Sequence, residues 1–274
     1  MRLGVVLPNE AVDADPREIA RLAQRVDALG YSAVWLPDHL LPPAPFGDVY
    51  GGVYEPLTLL AHISALTERI TLGTSVLILP LREPVLLAKQ LATLERVAPG
   101  RVILGAGVGW DRDEFAALEV PFSERGARAD ELIELLAHLH AAGEGGFDGR
   151  FHRVGDGVFA PLPSTRIPLM VGGTSDAALR RAARVGDFWQ AYGLTPQEFR
   201  ALHARLRAMA GERSVSAGTV ISAPPNMDTS QLVAIVEEWR AAGAEHLAIH
   251  PGPVDTAAER LSSLADRVPE LLVQ

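Results

Sequence analysis

The chain has 274 residues, 48% of them apolar, with a formal charge of −9 and no cysteine. Disulfides, a thiolate nucleophile and a thiolate-bound zinc or iron–sulfur centre are thereby excluded. The acidic excess is scattered along the chain, which reads as a solvated surface and argues against nucleic acid as a partner.

After Met1 and Arg2 the apolar run LGVVLP is too brief for a signal-peptide core, and no later stretch reaches the roughly 18 apolar residues of a membrane helix. The expected compartment is the cytoplasm, with no membrane partner. Short runs rich in Val, Ile and Leu then alternate with longer segments of helical period, the pattern of parallel strands joined by crossover helices. Predicted strands are Leu3–Leu7, Ala33–Leu36, Ile70–Val76, Val102–Gly105, Leu169–Val171, Asp187–Ala191, Thr219–Ile221 and His246–Ile249. The helices that follow them are predicted at Pro16–Leu29, Pro56–Thr67, Pro84–Ala98, Ser123–Ala142, Asp176–Val185, Pro196–Met209, Thr229–Ala242 and Thr256–Val268.

Asp15-Pro16-Arg17-Glu18 and Thr195-Pro196-Gln197-Glu198 each supply a capping oxygen, a first-turn proline and a reciprocal carboxylate. Gly30, Gly100, Gly143 and Gly243 sit where helices should stop. The strands are near-continuous apolar runs, as expected where both faces of a parallel sheet are covered. One segment breaks the rhythm: GEGGFDGRFHRVGDGVFAPLPSTRIP, about residues 143–168, reads as an excursion inserted between the fourth helix and the fifth strand. Eight strand–helix pairs, and a first turn without the glycine fingerprint of a dinucleotide fold, predict an α/β chain forming one (β/α)8 TIM barrel over residues 1–274.

In such barrels the site is built at the carboxyl ends of the strands. Val34 and Leu36 belong to the wall, the chain leaves the sheet at Pro37, and Asp38 and His39 emerge at the mouth; a local turn capped by Asp38 is the plain alternative. Glycine is concentrated at other strand ends, as suits backbone that must approach a flat or phosphate-bearing ligand. Gly172 and Gly173 leave a strand while Thr174, Ser175 and Asp176 open a helix, which makes an anion site, although a carboxylate at Asp176 would compete with a phosphate. Gly105-Ala106-Gly107-Val108-Gly109 matches a dinucleotide fingerprint only superficially, and Trp110 beside it either walls a ring system or packs in the core. A rival reading gathers His39 and His250 with Glu10, Asp38 or Glu114 around a divalent metal. The absence of an H-x-H pair or a Lys at a strand end counts against it, and the expected metal site is none.

The set VWLPDH, GTSVLILPLREPVLLAKQLATLE, RVILGAGVGWDRDEF and PLMVGGTSDAALRRAAR resembles the luciferase-like monooxygenase superfamily, and within it the oxidoreductases that use the deazaflavin coenzyme F420. The resemblance runs from Leu3 to the His250 region and implies a TIM barrel of the bacterial luciferase-like type. It implies Asp38 and His39 over the deazaflavin ring, His39 transferring a proton with Asp38 orienting it, and a non-prolyl cis peptide at Ser75-Val76 behind the ring. Gly107, Val108 and Gly109, with Trp110, would border the coenzyme, and Gly172, Gly173 and Thr174 would bind its phosphate. Relatives that oxidise a sugar phosphate carry an acid where this chain has Trp110, so that substrate is not expected, and Glu114 is the nearest carboxylate that could act as an acid. The implied reaction is hydride transfer between F420 and a small organic substrate, in a homodimer built through helices flanking the second and third strands. An FMN-dependent monooxygenase and a non-catalytic flavin-binding barrel are the alternatives.

Overall fold

The structure, a computed structural model, describes residues 1–10, 14–42, 53–224 and 226–272. Its strands are β1 (Arg2–Val6), β2 (Ala33–Leu36), β3 (Thr71–Thr74), β4 (Leu77–Ile78), β5 (Val102–Gly107), β6 (Phe147–Asp148), β7 (Arg153–Val154), β8 (Leu169–Gly172), β9 (Phe188–Ala191), β10 (Ser216–Ser222) and β11 (His246–His250). The α-helices are α1 (Pro16–Ala28), α2 (Pro56–Ser64), α3 (Pro84–Val97), α4 (Arg112–Ala117), α5 (Arg125–Ala142), α6 (Asp176–Val185), α7 (Pro196–Ala210), α8 (Thr229–Ala241) and α9 (Val254–Arg267). Parallel pairing runs β3-β2-β1-β11-β10-β9-β8-β5, and β3 with β5 closes the ring into an eight-stranded barrel.

Three local readings need correction. The predicted strand Ile70–Val76 is interrupted: β3 ends at Thr74, the Ser75–Val76 peptide is cis, and the ladder to β5 resumes at Leu77. A short helix, α4, follows β5, where no helix was expected; Asp111 caps it by accepting from the N–H of Asp113 and Glu114. Of the two predicted capping boxes only that of Thr195 and Glu198 forms in full, because Glu18 turns to Arg21 instead of reaching back to Asp15, and a further one forms at Asp228 and Gln231.

The helix starts share one device. Pro16, Pro56, Pro84 and Pro196 each occupy a first-turn position where no N–H is needed, after a capping Asp15, Glu55, Glu83 or Thr195. Most apolar side chains pack between barrel and helices, whereas a smaller set, Val6, Ala33, Trp35, Met170 and Ala248, fills the barrel itself. Trp35 fits there because its strand neighbours Gly4 and Gly73 are bare: a Cβ would stand 2.7 Å from its Nε1 and 2.2 Å from its Cζ3. An indole of about 200 Å² contributes up to about 5 kcal/mol by leaving water.

The ladder register fixes which residues point inward, since paired positions on parallel strands share a face. Starting from Trp35, the inward set includes Gly73, Ile103, Met170 and Phe188, and one step toward the carboxyl ends it includes Gly107, Gly172 and Gln190. Residues 143–168 start at the end of α5 and return to β8, so both ends lie at the amino-terminal face. They form the β6–β7 hairpin, whose turn donates the N–H of Arg150, Phe151 and His152 to Glu131 at 2.7, 2.8 and 2.7 Å.

At the amino-terminal end of the barrel, His246 is half-buried with its Nε2 enclosed, and this desolvation together with the nearby Arg2 charge lowers its pKa to about 4. The unfolded imidazole protonates near its ordinary value while the folded one resists, so stability is full above about pH 6.5 and declines as pH falls toward the depressed value. The expected loss is about 3 kcal/mol at most. Denaturant titrations of wild type and His246→Leu over this window should show a steeper decline in the wild type.

Candidate active site

The carboxyl ends of the strands bring the predicted residues to one rim. Asp38 follows β2 and is buried; its carboxylate accepts from the Ile78 N–H at 2.8 Å and pairs closely with Arg82. Arg82 also reaches Glu55 at 3.0 Å. Burial pushes the Asp38 carboxyl up, and the Arg82 charge and the Ile78 N–H oppose that rise. Asp38 thus fastens the end of β2 to β4 and to the start of α2.

His39 is oriented by a different carboxylate from the one expected. Its Nδ1 lies 2.9 Å from Glu114 Oε2, while Glu114 Oε1 accepts from the N–H of Leu40 at 2.7 Å and Leu41 at 3.0 Å. Burial alone would raise the Glu114 carboxyl, but hydrogen bonds from His39, Leu41 and Leu40 outweigh it and hold the group below its ordinary value. Glu114 thus faces the imidazole where Asp38 was expected to, while Asp38 faces Arg82 and the Ile78 N–H. Trp110 is 53% exposed and meets the His39 ring edge-on at 5.7 Å.

Beside the end of β2, where the Ser75 N–H donates to the Leu36 carbonyl at 2.8 Å, Val76 fits against glycine backbone. A Cβ on Gly107 would lie 2.4 Å from Val76 Cγ2, and one on Gly172 2.7 Å from Val76 Cγ1. Ser75 Oγ donates to Gln190 Oε1 at 2.6 Å, joining the end of β3 to the end of β9 across the mouth. Gly109 has a different use from its neighbour Gly107: its φ is 76° and a Cβ would strike Phe115 at 2.6 Å, so packing on α4 explains this glycine. Val108 is packed against the outer core.

Gly173, with φ 113°, leads through Thr174 into α6, where Ser175 accepts from the Ala178 N–H. Asp176 pairs with Arg205 at 2.6 Å, which turns its charge outward and removes the competition expected with an anion. The metal reading gains no support. Its carboxylates are engaged, Glu10 with His250 Nε2 at 2.6 Å, Glu114 with His39 and Asp38 with Arg82, and among the described residues no three His, Asp or Glu side chains gather at ligating reach. Sequence reasoning gave no role to Arg82, Glu55 or Gln190; the first charge after the apolar LILPL run is the one signal that marks Arg82.

A closed parallel barrel whose carboxyl-end loops converge on one polar rim defines an α/β-barrel enzyme. Residues 1–262 match the family model for luciferase-like monooxygenases, and the chain belongs to that family of oxidoreductases. An uncharacterized protein of Mycobacterium tuberculosis (strain H37Rv) is 36% identical over 204 residues, 70% of each chain. An F420-dependent glucose-6-phosphate dehydrogenase of Beutenbergia cavernae is 37% identical over 176 residues, 63% of this chain and 51% of the dehydrogenase, so the match spans about half of that relative. The fold is shared with the monooxygenase RslO1 from Streptomyces bottropensis, at a TM-score of 0.86 and 20% identity over 98% of this chain and 99% of that one. It is also shared with an F420-dependent secondary alcohol dehydrogenase, at 0.83 and 15% over 98% of each.

Because the Glu114 carboxyl is depressed, its contribution to stability is present above the ordinary carboxylate pKa and is lost as pH falls through the lowered value. Glu114→Gln should flatten the acid limb of stability below the ordinary carboxylate range, read by denaturant titration. A variant as acid-sensitive as the wild type would mean that the His39–Glu114 pair is not formed.

Proposed function

We propose that the protein transfers a hydride between the deazaflavin coenzyme F420 and a small organic substrate. The observation that carries this reading is Val76, wedged into the mouth where Gly107 and Gly172 leave room for its methyl groups, on the rim that also holds the His39–Glu114 pair. An apolar group so seated gives a planar heterocycle a rigid backing. The residues fit the group: the Ser75-Val76 segment would back the ring, and Gly107 and Trp110 would border the coenzyme. Gly172, Gly173 and Thr174, at the positive end of α6, would hold its phosphate. When bound, the deazaflavin would supply the carbon that gives or takes the hydride.

The protein's part is placement and proton movement. With Glu114 on Nδ1, the imidazole keeps its Nδ1 proton and exchanges the other through Nε2, so His39 moves the proton that accompanies the hydride. Asp38 holds the loop that carries His39 through Ile78 and Arg82. The half-exposed Trp110 indole beside His39 gives the substrate an apolar wall, which favours a substrate less charged than a sugar phosphate.

The same reading takes the protein as a cytoplasmic homodimer. Among the described residues no helix is long and apolar enough to cross a membrane, and Leu86 and Val97 on α3 and Leu66 after α2 are exposed. Light scattering on the purified chain checks the assembly.

Binding titrations with F420 and with FMN test the cofactor. Tighter binding of F420 is expected; preference for FMN would replace this reading with the flavin monooxygenase one. His39→Ala should keep F420 affinity within about tenfold while cutting turnover by roughly 10²–10⁴. Equal losses in both would make His39 a binding residue.

A further inference from the structure

Gln190 lies near the carboxyl end of β9. Its strand neighbours in the ladder are both glycines, Gly172 on β8 and Gly218 on β10, and the space their side chains would fill is taken by Val76 on one side and by the His246 ring on the other. It points inward, because the preceding Trp189 stacks outward on Phe199 of α7 at 5.4 Å and alternate residues of a strand face opposite ways. It is only 3% exposed.

The carboxamide is half satisfied. Oε1 accepts from Ser75 Oγ at 2.6 Å, which fixes the side chain beside the Ser75-Val76 segment. Nε2, with two N–H donors, has no partner among the described residues. A buried amide left unpaired is destabilising, and an apolar isostere of Gln would avoid that cost. An unpaired donor held in place through Ser75 is what a site built for an acceptor-bearing ligand contains.

We propose that Gln190 donates a hydrogen bond from Nε2 to a ring carbonyl of the heterocycle bound in the mouth, and that Ser75 is the positioning residue that aims it. This rests on the cofactor reading above. Both deazaflavin and flavin rings carry carbonyl acceptors, so the contact serves recognition of the ring and does not by itself separate the two.

Equilibrium titration of the purified protein with F420 and with FMN, followed by ligand fluorescence, is paired with thermal melts without ligand. Gln190→Leu should weaken binding of the preferred ring about tenfold or more while its ligand-free melting temperature stays level or rises, since an unpaired buried donor has been removed. Gln190→Glu keeps the shape but replaces the donor with an acceptor, and should bind at least as weakly as Gln190→Leu. Ser75→Ala should weaken binding less than either. Unchanged affinity in a folded Gln190→Leu would overturn the assignment while leaving the cofactor reading intact, and so would a collapse of ligand-free stability in both Gln190 variants. Failure of the wild type to bind either ring would overturn both.

Discussion

The mouth of this barrel depends on side chains that are missing. Gly107 and Gly172 face inward on neighbouring strands, and the space their Cβ atoms would fill is taken by the two methyl groups of Val76. A methyl on either glycine would push Val76 out and, with it, the segment that interrupts the third barrel strand. The same principle works one layer down, where Gly4 and Gly73 admit the Trp35 ring. Glycine weakens a strand by roughly 0.5–1 kcal/mol relative to alanine, and the packing of Trp35 and Val76 offsets that locally.

Charge is arranged with equal economy at the rim. Two carboxylates, one after β2 and one after β5, take separate tasks: Asp38 is buried against Arg82 and serves the backbone of β4, while Glu114 gathers His39 and two successive N–H groups. Their environments push their proton affinities in opposite directions, Asp38 up through burial and Glu114 down through its donors. Arg82 extends the first arrangement to Glu55, which caps α2. Loss of one partner in such a buried cluster leaves a charge uncompensated, which is more costly than the pair is stabilising.

The barrel itself was readable from strand–helix alternation, because a parallel sheet covered on both faces writes itself as apolar runs. The break at Ser75-Val76 was not readable from periodicity, since Ile70–Val76 is continuous in hydrophobicity and only the resemblance of the motif placed a special peptide there. The rim position of Asp38, His39, Gly107 and Gly172 followed from their places just beyond or at the ends of predicted strands. Which carboxylate meets the imidazole did not, because Glu114 arrives from a six-residue helix too short to show a period. Gln190 was hidden for another reason. A single amide in a strand carries no pattern, and its meaning appears only once the register sets glycines on both sides of it.

The excursion over residues 143–168 springs from and returns to the pole opposite the chemistry, tied down by Glu131 and, at its far end, by Glu95 through Thr165. Gly155 and Gly157 within it have open space where a side chain would grow. A dye, a surface tether or a fused partner grafted at that bend would therefore leave the substrate entrance clear, giving the enzyme a handle for immobilisation that its working face does not feel.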